Sequence, residues 1–220
     1  LPYRVSLGYT DQMGIMKNTD MQRMTGAINL NPTLLDGALK LNLNAKGMNT
    51  NHNFGDAGAL GSALNMDPTQ PIRDGNEETA GYYQWGTYGA NLGTPNPVEQ
   101  LMEVENTSTV NRVIANVQAD YTLPFLPELR ANLNLATDRS MSEGINNRDS
   151  TTNTQLDGDF VGRDNEYSAN YSNDLIEFYL NYNTTIGEQT LDLTGGYSWQ
   201  HFYREDYSFT QGLISDTADI

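Results

Sequence analysis

Residues 37–50 read GALKLNLNAKGMNT, and their alternation decides the fold. Leu39, Leu41, Leu43 and Ala45 fall on one side of an extended chain, and Lys40, Asn42, Asn44 and Lys46 on the other. Successive side chains of a strand point to opposite faces, so this segment has one apolar face and one wet face. A wet face built of Asn and Lys, not merely of small polar residues, suits a transmembrane β-barrel with lipid outside and a hydrated lumen inside.

Six more segments read the same way. They lie at about 3–10 (Tyr3, Val5, Leu7, Tyr9), 22–31 (Met24, Gly26, Ile28, Leu30), 109–123 (Val113, Ala115, Val117, Ala119, Tyr121) and 129–138 (Leu129, Ala131, Leu133, Leu135). The last two lie at about 174–185 (Ile176, Phe178, Leu180, Tyr182) and 189–207 (Leu191, Leu193, Tyr197, Trp199). Short turns rich in Pro and Gly join some of them, at NPTLLDG (31–37), LPFLPEL (123–129) and TIGEQ (185–189). Longer polar connections join the others: the bend DQMGIMKNTD and the loops at about 49–106 and 139–170. Long and short alternate along the chain, as in outer-membrane barrels with short periplasmic turns and long extracellular loops.

Tyr121, Tyr182, Tyr197, Trp199, Phe202 and Tyr203 gather near strand ends, which fits aromatic girdles at the membrane interfaces. The expected fold class is all-β: an antiparallel transmembrane β-barrel segment, about seven strands of a larger barrel, over residues 1–220. It carries long extracellular loops and one short loop helix between Asp56 and Met66, ended by Pro68 and Pro71. Arg on the apolar face, at Leu41 or Leu133, is expected to be costly; Arg at Asn42 or Asn132 is expected to be tolerated.

The bulk numbers fit this reading. The chain has 220 residues, 12 Lys+Arg against 28 Asp+Glu, a formal net charge of −16 and no cysteine. The acidic balance argues against nucleic acid as a partner. The lack of cysteine excludes disulfides and thiolate metal sites. No apolar run reaches the roughly 18 residues of a transmembrane helix, but barrel strands need only about 9–11. The opening LPYRVSLGYT has neither a basic n-region nor an apolar h-region, so no signal peptide is expected within these residues.

Candidate functional residues are few. Tyr82, Tyr83, Trp85 and Tyr88 form an aromatic cluster in the long loop, whose ring faces would suit the apolar faces of sugars. The same rings would equally fill the loop's own core or touch a partner. Asp157, Asp159 and Asp164 offer oxygen ligands, but DGDFVGRD lacks EF-hand spacing and reads as a solvated acidic loop. Asp11 and Asp20 take the same reading. His52 and His201 have no nucleophile at motif spacing, and NLGTPNP is a turn cluster without a phosphate-loop pattern. No catalytic residue, metal site or cofactor is expected, and the chain reads as a non-enzyme.

The stretch YRVSLGYTDQMGIMKNTDMQRMTGAINLNPTLLDGALKLNLNAKG resembles the start of the barrel in SusC/RagA-type TonB-dependent outer-membrane transporters of Bacteroidetes. The matching pieces are 3–14, 19–30 and 39–47. ALGSALNMDPTQPIRDGNE, NPVEQL (96–101), NRVIANVQADYTL (111–123) and TIGEQTLDLTGGYSWQHF (185–202) continue the resemblance in order. The family's proteins are several times longer, and seven strands with two open edges cannot stand alone in lipid. The 220 residues are therefore expected to be an excerpt without the plug.

The resemblance implies the outer membrane of a Gram-negative cell and import of a glycan or oligopeptide. It also implies a SusD-type surface lipoprotein that captures ligand, and TonB acting through the plug region. Three alternatives remain at this point: a passive porin or adhesin barrel, a soluble β-rich glycan-binding module, and an enzyme such as a surface glycosidase, which would need a pair of catalytic carboxylates facing one cleft that the sequence does not nominate.

Overall fold

The alternation is realised as one continuous sheet, longer than the sequence pattern alone marks out. The computed structural model describes residues 2–85, 93–149 and 160–214. Its strands are β1 (Tyr3–Met13), β2 (Asp20–Leu30), the two-residue β3 (Thr33–Leu34), β4 (Leu39–Asn53), β5 (Val104–Thr122), β6 (Leu129–Arg148), β7 (Phe160–Ile186) and β8 (Gln189–Ile214). Every pairing is antiparallel, and the order is β1-β2-β4-β5-β6-β7-β8, with β3 paired to β4.

Cross-strand register puts like with like. Leu41 on β4 lies in one row with Ala119, Leu133, Phe178 and Tyr197, and Leu43 lies with Leu30, Val117, Leu135, Ile176 and Trp199. On β8 the apolar band runs from Leu191 to Trp199, whereas on β1 it runs from Tyr3 to Tyr9. Hydrogen-bonded rows connect Trp199, at the top of the band on β8, to Tyr3, at its bottom on β1. The band centre thus slides by about seven residues across the sheet, or roughly 24 Å along the strands over roughly 29 Å of sheet width, at about 3.4 Å per residue and 4.8 Å per strand. That corresponds to strands tilted by about 40° to a level band, the tilt of a barrel wall.

Among the described residues no second sheet packs on either face, and the loop between β4 and β5 covers only the rim of the polar one. The buried apolar residues among those described are Ala59, Tyr82 and Val104, while Leu7 is 88% and Tyr197 67% exposed. A soluble sandwich of this length would bury its apolar rows against a second sheet. Here they form a belt suited to lipid, with Trp199 stacked on His201 at its upper edge on β8. Phe202, read from sequence as part of the girdle, sits on the opposite, polar face, in register with Asn173. Among the described residues no helix is long and apolar enough to cross a membrane.

Three further features differ from the sequence reading. Most of the loop expected at 139–170 is strand, because β6 continues to Arg148 and β7 starts at Phe160. Above the band both faces become polar, with pairs such as Arg139↔Ser172 and Glu143↔Ser168, so the ladder continues where the apolar signal has ended. The bend between β1 and β2 tightens to 14–19, closed by the Gly14 N–H donating to the Thr19 carbonyl at 2.7 Å. The long loop holds two α-helices, not one: α1 (Gly58–Asn65) and α2 (Pro97–Met102).

Candidate solute-binding lumen and rim

The polar face is a wall of carboxamides and charges. Asn29 donates to Asn44, Asn44 to Asn42 at 2.6 Å, Asn116 to Asn134 at 2.5 Å, and Asn134 to the Glu177 carboxylate at 2.9 Å. The Glu177 carboxylate also accepts from the Ser198 hydroxyl at 3.5 Å. Each carboxamide carries both donor and acceptor, so the ladder can continue from strand to strand and still face water. A hydrated wall of this kind offers many weak polar contacts to a passing solute.

Charges are segregated between the two faces. Every strand cation except Arg139 has the parity of the polar face, from Arg4, Arg23, Lys40 and Lys46 to Arg112, Arg130 and Arg204. Most strand carboxylates lie on the other face, beyond the apolar band: Asp11, Asp20, Glu143, Glu166, Asp174 and Glu205. On the polar face, Arg112 makes a two-pronged ion pair with Asp138, at 2.8 and 2.5 Å, and Arg204 does so with Asp206, at 2.7 and 3.1 Å.

At the rim, the chain between β4 and β5 folds over the polar face. Thr50, Val104 and Ser108 have that face's parity and are buried beneath it, whereas Glu105, on the outer face, is exposed. Several links among the described residues pin this loop, one of them the Phe54 N–H donating to the Asn106 carbonyl of β5 at 2.8 Å. Arg148, on the polar face of β6, reaches the Asp56 carboxylate at 3.3 Å. The Asn18 amide donates to the Leu101 carbonyl at 2.7 Å, and the Gly55 N–H to the Thr19 hydroxyl at 3.1 Å. Burial pulls the Arg148 pKa below its ordinary value, with Asp56 pulling it back up. Residue 55 is necessarily glycine: a Cβ there would stand 2.5 Å from the Thr19 hydroxyl and 2.7 Å from the Lys17 carbonyl.

Lower on this face, Tyr167 covers Gly144, its register partner, and its hydroxyl donates to the Thr107 carbonyl at 3.3 Å. A Cβ at residue 144 would stand 2.4 Å from that carbonyl and 2.5 Å from the ring. Gly144→Val is therefore expected to cost about 1–3 kcal/mol by overpacking. Hydrogen exchange at 142–145 and 166–169 checks this, and parental protection there would refute the close approach.

The aromatic cluster divides by exposure. Tyr82 is wholly enclosed, with its hydroxyl accepting from Arg73 at 2.7 Å and the same guanidinium 4.0 Å above its ring. Burial, with Glu103 alongside, pushes its phenol pKa up, so the group stays neutral. This is the loop-core role, with no face free for a ligand. Tyr83 is half-buried and Trp85 36% exposed, their rings meeting edge to face at 5.8 Å. Tyr88 lies outside the described residues, as do Asp157 and Asp159; Asp164 is exposed on the outer face of β7.

Sequence reasoning missed the residue that organises the loop. Asn96 is 2% exposed and caps α2, its side-chain oxygen accepting from the N–H groups of Val98 (3.0 Å) and Glu99 (3.4 Å). Its amide donates to the carbonyls of Ile72 at 2.9 Å and Tyr83 at 3.1 Å, which brings the aromatic strip against the helix. The signal was present as Asn followed by Pro97 at the first helical position.

No protein-family model matches the chain. It is 33% identical over 242 aligned residues to the TonB-dependent receptor SusC of Bacteroides thetaiotaomicron, an alignment that takes in 100% of this chain and 23% of that relative. The chain therefore spans about a quarter of the length of the curated relative it matches. Among solved structures it is similar to the RagAB peptide importer in its 'closed-closed' state, with a TM-score of 0.71 and 18% identity, over 99% of this chain and 24% of that one. The 'open-open' state of the same importer gives a TM-score of 0.70 at 18% identity, again over 99% and 24%. Those structural likenesses speak to the fold, and the SusC alignment to ancestry. The open sheet, tilted band and hydrated face accord with both likenesses: over its whole length the chain resembles a barrel segment of the SusC/RagA-type TonB-dependent transporters.

Proposed function

We propose that this chain forms part of the wall and rim of an outer-membrane transporter that imports an oligomeric nutrient, a glycan or an oligopeptide. The observation that carries this reading is the alignment with SusC along the whole chain. A polar, carboxamide-lined face opposite a lipid-suited belt supports it. In this reading a SusD-type lipoprotein delivers solute to the rim, TonB supplies the energy through a plug elsewhere in the protein, and no bond chemistry occurs. Tyr83 and Trp85 contact the solute at the rim, and Tyr82 supports them from within the loop.

The test uses the intact protein carrying this chain in its source cell. Uptake of labelled glycans and oligopeptides is measured in the parent, in a strain lacking the protein and in a strain lacking TonB. The expected result is loss of one solute class in both mutant strains, with a surface lipoprotein co-purifying from the parent. Uptake that survives without TonB would overturn the reading in favour of a passive porin.

A further inference from the structure

The two kinds of charge on the polar face are satisfied differently. Its carboxylates are met within the wall. Asp120 accepts from the Asn132 amide, Glu177 from Asn134 and Ser198, and Asp192 from Asn181 at 2.7 Å and Asn183 at 3.1 Å. Asp138 and Asp206 have arginines. Several cations have no such partner: among the described residues neither Arg4 nor Lys46 enters an ion pair or a side-chain hydrogen bond.

Those two cations face a shared hollow. Arg4 on β1 and Lys46 on β4 flank β2 and sit in adjacent rows, Arg4–Asn29–Asn44–Asn116 and Ser6–Ala27–Lys46–Ile114. Two strand spacings and a two-residue offset along the strands put their backbones roughly 12 Å apart, within reach of two long side chains closing on one small group. Small Ser6 and Ala27 leave space between them, and the Asn29–Asn44 carboxamides line its side, in a cavity of about 320 Å³. Cations and amide N–H groups are all donors, a set that recognises a carboxylate or similar oxyanion.

We propose that Arg4 and Lys46, over the Asn29–Asn44 row, form an anion subsite on the lumenal wall, and that the imported solute carries carboxylate groups. The proposal rests on the import reading and adds a substrate class to it. The net charge of −16 makes the point sharper: an acidic chain keeps all its strand cations but Arg139 on the one face that a solute would traverse. That arrangement draws anions inward and steers them away from the acidic outer face.

The test is equilibrium binding to the intact, detergent-solubilised protein carrying this chain. The probes are trigalacturonate against its methyl ester and a Glu-rich tetrapeptide against its Gln counterpart. The acidic member of at least one pair is expected to bind about ten-fold tighter at low salt, with the preference shrinking as salt rises. Whichever pair responds identifies the source of the carboxylate. Arg4→Gln with Lys46→Gln should bring that ratio close to one, and Arg4→Lys with Lys46→Arg should retain it. Heat-modifiable gel migration establishes that each variant is folded.

Equal binding of acidic and neutral probes would overturn the subsite. So would a double variant with lower folded yield and an unchanged ratio, because the cations would then be seating another part of the protein. Binding of neither pair also overturns it, leaving the import reading to its own uptake test.

Discussion

Leu133→Arg is expected to destabilise the assembled barrel by about 2–4 kcal/mol. Leu133 sits within the apolar band, in one row with Leu41, Ala119, Phe178 and Tyr197. An arginine there must either strip its guanidinium of water or thin the lipid around it. The comparison is Asn42→Arg on the opposite face, where the new charge meets the hydrated lumen and the main loss is one hydrogen bond from Asn44. That variant should stay within about 1 kcal/mol of the parent. Asn132, which the alternation alone treats as equivalent to Asn42, is not a neutral comparison. It is 4% exposed and donates to Asp120, so a longer side chain there must displace its neighbours. Urea unfolding of the intact protein in lipid vesicles measures both variants. Equal costs at Leu133 and Asn42 would overturn the lipid-facing assignment.

This contrast also marks how much the sequence discloses. The membrane-level strands were legible because lipid and water lie on opposite sides of each of them. Leu39 to Ala45 and Leu129 to Leu135 therefore carry a full period-two signal. The upper halves of β6 and β7 were not legible, because above the lipid both faces are wetted and Glu143, Ser168 and Glu166 carry no alternation. What holds those residues in strand is the ladder inherited from below, a tertiary effect invisible in a local window. The tilt was hidden in the same way, since it appears only when the register relates Trp199 to Tyr3 across the sheet. Composition found the aromatic cluster but could not separate Tyr82, sealed beneath Arg73, from the more accessible Trp85. The Arg4–Lys46 pairing needed register too, because the two residues are far apart in sequence and meet only across β2.

Asn96→Ala is expected to loosen the rim loop by about 2–4 kcal/mol while leaving the barrel intact. The lost cap contributes about 1 kcal/mol and the Tyr83 carbonyl left without its donor about 1 more, while the Ile72 carbonyl, which keeps the Tyr83 N–H at 3.2 Å, adds less. The loss stays local because the loop meets the sheet through few links, among them Asp56 to Arg148, Gly55 to Thr19, Leu101 to Asn18 and Phe54 to Asn106. Such a unit can open while the strands beneath stay paired. Hydrogen exchange should therefore accelerate at 72–85 and 97–102 and remain unchanged in β5 and β6. Asn96→Asp separates the contributions: its carboxylate still accepts from Val98 and Glu99 and suits a helix N-terminus, but it cannot donate to Ile72 or Tyr83. Its exchange should fall between parent and alanine. Because those donors hold Tyr83 beside Trp85, solute affinity at the rim should drop in the same order. Parental exchange rates in the alanine variant would show that the loop is held by something other than Asn96.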